Sequence, residues 1–151
     1  IKTPRCNITA QNADNISNGV IFMKEYLSVF AFGGTVYCSI EILWRGRTHW
    51  TMAVLGGLCF LIIYLLNKKL KGKSLILRCV LGASIITALE FLVGYAVNIR
   101  LGWQVWDYSK LRFNLMGQIC LRYFLLWFLL CIPVIAFAKL LDRRFGGRLT
   151  N

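Results

Sequence analysis

Acidic residues are scarce in this chain: six Asp and Glu stand against 18 Lys and Arg, and only 16% of its 151 residues are charged. Soluble domains carry about 25%, so there is too little charge here to cover a globular surface. Two prolines rule out a Pro-rich linker, and 13 glycines are too few for a collagenous repeat. Disorder is excluded because 58% of residues are hydrophobic and 14% aromatic. Histidine occurs once, at His49, and no CxxC pair exists among Cys6, Cys38, Cys59, Cys79, Cys120 and Cys131. Structural zinc needs clustered ligands, so no metal site and no cofactor are expected. Isolated cysteines in or beside apolar segments read as small buried hydrophobes.

What the chain has instead is four long apolar segments, at about 27–43, 50–66, 79–99 and 115–141. A helix needs about 20 residues to cross the hydrocarbon, and these runs lack the alternation of a membrane barrel. The expected fold is therefore all-α, a polytopic membrane bundle of four transmembrane helices within one domain, 23–145. Glu41 and the lack of a small-residue cleavage site argue against a signal peptide in the first segment. Residues 1–22 are polar and unpatterned; they are expected to be an extension without fixed structure or outside the native chain, with Met23-Lys24 marking the natural start. Residues 146–151 would form a short tail.

An even number of crossings puts both termini and the 68–73 loop on one side. That side carries Lys24, Lys68, Lys69, Lys71, Lys73, Arg78, Lys139, Arg143, Arg144 and Arg148, against Arg45, Arg47, Arg100, Lys110 and Arg112 on the other. The positive-inside rule then makes the termini cytoplasmic in a cytoplasmic (inner) membrane. It also accounts for the net charge of +12 without nucleic acid as a partner. Gly72-Lys73-Ser74 resembles the end of a phosphate-binding loop, but Asn67 stands where that motif needs glycine. An ATP-driven role therefore calls for a separate ATP-binding subunit.

Charged groups inside membrane helices face the bundle interior or a wet cavity. Three segments carry polar residues at steps of three or four: Gly34, Cys38, Glu41 and Arg45; Ala83, Thr87, Glu90, Gly94 and Asn98; and Asn114, Gln118 and Arg122. Each set would share one helix face. At the helical rise, Glu90 lies about 13 Å and Arg122 about 10 Å from the outer end, so the two are expected to pair. The outer loops add Arg47, His49, Trp103, Trp106 and Asp107. Trp and Tyr there fit an interfacial belt. The arginines, His49 and the carboxylates also fit an anion-binding pocket or acid–base chemistry, with Glu41, His49 and Asp107 as its groups.

These stretches, Glu41–Trp50 (EILWRGRTHW), Gly56–Phe60 (GGLCF), Glu90–Asn98 (EFLVGYAVN), Leu101–Ser109 (LGWQVWDYS) and Asn114–Leu121 (NLMGQICL), carry a family likeness. The chain resembles the CmpB-like family, small bacterial integral membrane proteins assigned to ABC transporter permeases. The resemblance implies a transport-associated subunit without its own ATPase, working as a homo-oligomer or with an ATP-binding partner. The polar spacing and the outer-loop cluster, rather than the resemblance, supply the residues of an outward-facing pocket for a small or anionic ligand: Glu41, Arg45, Arg47, His49, Glu90, Asn98, Trp103, Trp106, Asp107, Asn114, Gln118 and Arg122. Two other readings stay open at this level. One is a membrane enzyme acting on a lipid or polyprenyl substrate at the outer interface. The other is a non-catalytic partner or immunity-type protein whose polar stripes only hold helices together.

Overall fold

The computed structural model describes residues 4–146, in which short polar breaks divide the chain into four long helices. Helix α1 (Pro4–Arg45) ends at Gly46, and His49 opens α2 (Trp50–Lys69) by accepting from Thr51 N through Nδ1 at 3.4 Å. Ser74 caps α3 (Leu75–Gly94), its hydroxyl accepting from Leu77 N at 3.3 Å. The residues that mimic a phosphate-binding loop thus form an ordinary helix start. Helix α3 continues into a π-helical stretch, Tyr95–Arg100. An antiparallel pair of short strands, β1 (Asn114–Leu115) and β2 (Ile119–Cys120), precedes α4 (Leu121–Gly146).

Among the described residues, four helical spans are long and apolar enough to cross a membrane: Ile16–Arg45, Trp50–Lys69, Leu75–Arg100 and Leu121–Leu141. Leucines such as Leu43, Leu58, Leu92, Leu125 and Leu129 stand exposed along them, the arrangement of helices whose outer surface meets lipid rather than water.

Two expectations change. The segment expected to be an unstructured extension is helical from Pro4 onward, continuous with the first span. Proline is suited to a helix's first position, and no residue between it and Gly19 breaks the helix. The fourth helix begins at Leu121, not near 115, because residues 114–120 fold into the hairpin. Met116 and Gly117 both take positive φ, 52° and 70°, and Gln118 N donates to Leu115 O at 3.0 Å. Those two positive φ values turn the chain back within the three residues, 116–118, that separate the paired Leu115 and Ile119. Residues 1–3 and most of the expected tail, 147–151, lie outside the described residues.

Helices α1 and α2 form the most intimate pair. A Cβ at Gly34 would stand 2.6 Å from Ala53 O, and one at Gly57 would stand 2.8 Å from Phe30 O. Small residues allow such backbone approach, the main source of helix association in lipid. Helices α2, α3 and α4 share a core of Leu55, Cys59, Ile63, Cys79, Ile86 and Cys131, where a Cβ at Gly82 would meet Cys131 Sγ at 2.8 Å. At the end of the bundle near the termini, the buried Glu25 of α1 accepts from the Tyr64 hydroxyl and from Lys68 Nζ at 2.6 Å, both on α2.

Replacing Gly34 or Gly57 by Leu should separate α1 from α2 and destabilise the protein by about 1–3 kcal/mol, as overpacking does. Thermal unfolding in detergent reads this out, with Gly19→Leu, where nothing lies within 4 Å, expected to behave like the parent chain.

Candidate functional site

The loops at the opposite end, 46–49 and 101–120, fold into one cap over the helices, and side-chain amides hold it. Asn98, in the π-helical stretch, donates through Nδ2 to Trp106 O at 3.0 Å and to Gln118 Oε1 at 2.8 Å. Its Oδ1 accepts from Val105 N at 2.7 Å. The buried Trp106 indole donates to Gln118 O at 2.9 Å, and Gln118 Nε2 donates to Met116 O. Asn114 ties the hairpin to the preceding turn, donating to Leu111 O at 2.7 Å and accepting from Gly117 N at 3.1 Å. Gln104, Phe113 and Met116 all take positive φ, which costs about 1–2 kcal/mol each for a residue with a Cβ. The amide network, at about 0.5–1.5 kcal/mol per bond, offsets that strain. A Cβ at Gly94 would strike Gln118 Oε1 and Trp106, so a bare backbone there lets the cap sit down on α3.

Beneath the cap, Arg45 Nη2 pairs with Glu41 at 2.7 Å within α1, and Thr48 Oγ1 donates to Glu41 Oε2 at 2.7 Å. Arg45 Nη1 donates to Val105 O at 3.3 Å, while its buried Nε has no hydrogen-bond partner. This pair forms the rim of a cavity of about 170 Å³, whose walls include Tyr37, Tyr108, Tyr123 and Trp127. Tyr108 and Tyr123 stack with centroids 4.3 Å apart, and Tyr37 stacks on Trp127 at 5.7 Å. Burial pushes the Tyr108 hydroxyl above its usual pKa, with Glu90 adding to the rise, so it stays protonated. A second cavity of about 250 Å³ lies deeper between α1, α2 and α4 and is lined by apolar groups. The two share Tyr37, Ile40, Trp127 and Leu130. Together they form one cleft along the seam where α1 meets α4 through rings, Tyr37 on Trp127 and Phe32 on Phe137, instead of close backbone packing.

Glu90 is 2% exposed and accepts from the Trp127 indole at 2.7 Å. It does not meet Arg122, as the helical spacing suggested. Because α4 starts at Leu121, Arg122 lies in its first turn, exposed, on a surface groove with Leu111 and Phe113. Asn114 and Gln118, expected on the same helix face as Arg122, belong to the hairpin instead. His49, Glu41 and Asp107 are also not bonded to one another. His49 faces Thr51 Oγ1 at 2.9 Å and packs against Trp50 and Trp103; Asp107 accepts from Ser109 N and Oγ. Arg47 is exposed.

Sequence reasoning passed over Tyr37, Tyr108, Tyr123 and Trp127, which line the cleft. Tyr37 lies four residues before Glu41, on the same face of α1. Tyr108 lies in the outer loop whose Trp and Tyr fit an interfacial belt.

These features define a polytopic helical membrane protein with a hydrogen-bonded cap at one end and a lateral amphipathic cleft beneath it. The family model described as "Putative ABC-transporter type IV" matches residues 26–149, and the chain belongs to that family. No curated protein and no solved structure matches it.

Asn98→Ala should leave Val105 N and Gln118 Oε1 without their partner and lower stability by about 1–3 kcal/mol for each group left buried. Thermal unfolding of Asn98→Ala measures this. The two bonds from Ser109 hold the Asp107 carboxyl below its usual pKa. Their contribution is present above the ordinary carboxylate value of about 3.9 and is lost as pH falls through the lower folded value. The Ser109 amide signal in NMR should therefore titrate with a midpoint below about 3.9, and Asp107→Asn should abolish that titration.

Proposed function

We propose that this protein is the membrane subunit of a transporter, driven by a separate ATP-binding subunit, with the α1–α4 cleft as its ligand site. The observation that carries this reading is the cleft's composition. Its floor is apolar, its middle is aromatic, and among the described residues lining it the charged ones are the Glu41–Arg45 pair. Such a channel suits an amphipathic ligand whose apolar body lies among Tyr37, Ile40 and Trp127 and whose polar head meets Arg45. Because the seam is made of side chains, a ligand can enter from the bilayer by displacing rings, without breaking helix packing. Membership in the family supports the transport role. The excess of Lys and Arg at the opposite end supports an inner-membrane orientation with the termini in the cytoplasm. Four helices make a thin pathway, and transporter sites normally lie between repeated halves, so self-association or a partner completes it. Acid–base chemistry by Glu41, His49 and Asp107 has less support, since each is engaged with a different neighbour.

Native mass spectrometry of the protein gently extracted from its own membrane tests this. A stoichiometric ATP-binding subunit is expected, along with a bound amphiphile that disappears in Ile40→Trp while the assembly persists. Ile40 is 43% exposed on the cleft wall, so the larger ring narrows the cleft without entering the core. A chain that carries no ATP-binding partner, and an amphiphile that Ile40→Trp does not affect, would overturn the reading.

A further inference from the structure

At the end of the bundle away from the cap, a cavity of about 350 Å³ opens among Asn67, Lys71, Gly72, Arg78, Lys139 and Arg143. These residues come from the end of α2, the loop after it, α3 and α4. Four of the six are cations, and none of the described residues lining the cavity is acidic. The bland explanation, a solvated basic loop, fails at Arg78. This side chain is buried, 8% exposed, and its neighbour Asn67 is 4% exposed. Arg78 Nη1 donates to Asn67 Oδ1 at 2.7 Å, while its buried Nε has no hydrogen-bond partner. A neutral amide orients the guanidinium but does not neutralise it. Removing a cation from water without a counter-charge is costly, and elsewhere in this chain that cost is met within the protein. Lys68 has Glu25 at 2.6 Å, and Arg45 has Glu41 at 2.7 Å. No salt bridge reaches Arg78, Lys139 or Arg143 among the described residues.

We propose that this cavity binds a phosphate group, which supplies the counter-charge that the protein withholds. Arg78 forms the fixed back wall, its planar fork suited to phosphate oxygens. Lys139 and Arg143, one helical turn apart on α4, close over the ligand from the opposite side, and Lys71 reaches it from the loop. The site lies where the apolar spans of α2 and α4 give way to charge, the level of lipid headgroups. A phosphate there can belong to an anionic lipid, as in basic pockets between membrane helices, or to a soluble ligand.

The test is thermal stabilisation of the full chain in maltoside detergent, titrated separately with phosphatidylglycerol, phosphatidylcholine and inorganic phosphate. The variants are Arg78→Gln and the double variant Lys139→Gln/Arg143→Gln. Phosphatidylglycerol or inorganic phosphate is expected to raise Tm, and each variant to weaken that response about tenfold or more, as loss of charged hydrogen bonds does. A response to phosphatidylglycerol alone assigns the site to a lipid headgroup. A response to inorganic phosphate assigns it to a soluble phosphate. Because Arg78→Gln also removes the bond to Asn67 and can fail to fold, the double variant decides the matter. Its two residues are exposed on α4 and form no hydrogen bond or ion pair with the described residues. The proposal is overturned if no probe raises Tm, if phosphatidylcholine works as well as phosphatidylglycerol with inorganic phosphate inert, or if the double variant responds like the parent chain.

Discussion

One side-chain amide holds the cap end of this molecule together. Asn98 uses both amide hydrogens and its carbonyl oxygen, and every partner belongs to the cap: Val105 N, Trp106 O and Gln118 Oε1. Through those bonds the π-helical end of α3 fixes the 105–106 backbone, and Val105 O in turn receives Arg45. The Glu41–Arg45 rim of the cleft is therefore set from the far side of the bundle. The same backbone places Tyr108 against Tyr123 at the start of α4. The amides matter there because backbone groups that leave a helix at the end of a membrane span need other partners. The strained φ values of Gln104, Phe113 and Met116 persist because the amides leave the chain no relaxed alternative.

A second constraint divides the bundle unequally. Glycines bring α1 within backbone reach of α2, and a core of small and branched side chains fastens α2, α3 and α4 together. Neither device acts between α1 and α4, which meet through rings that can rotate away. The cleft lies on that seam. Its position thus follows from where close packing is: glycines seal α1 to α2, small and branched side chains seal α2, α3 and α4 to one another, and the α1–α4 seam is left to Phe32, Tyr37, Trp127 and Phe137.

Much of the fold is legible in the residues alone, for a simple reason. Continuously apolar spans bounded by Gly, Ser, Lys and Arg lack the alternation of a barrel, which leaves the helix as the way to satisfy their backbones in lipid, so the four helices can be counted. Where spacing misled, two structures shared one pattern. Asn114, Gln118 and Arg122 recur every four residues, as on a helix, yet Met116-Gly117 supplies the turn that puts the first two in a hairpin. That shift moves Arg122 out to the surface and leaves Glu90 to Trp127. Cluster composition likewise named Glu41, His49 and Asp107 together, but composition carries no direction. Each side chain turns to a neighbour close in sequence: Glu41 to Arg45 and Thr48, His49 to Thr51, Asp107 to Ser109. The aromatic lining of the cleft and the burial of Arg78 depend on which helices adjoin, information that no single segment holds.

The two ends of the protein handle charge by opposite rules, and that contrast bears on how it works. Under the cap, the one arginine near the cleft has its carboxylate on the next helical turn, so the rim is neutral as a unit and costs little to bring near lipid. At the other end, Glu25 and Lys68 neutralise each other, but Arg78 is left beside a cavity whose other charges are also positive. A buried cation beside other cations is costly, and an anion in the proposed site would offset that cost. The neutral rim fits a site that ligands enter and leave, whereas a buried Arg78 held only by the neutral Asn67 fits one that stays occupied. A phosphate held there would tie α3 to α4 at the end of the bundle away from the cap.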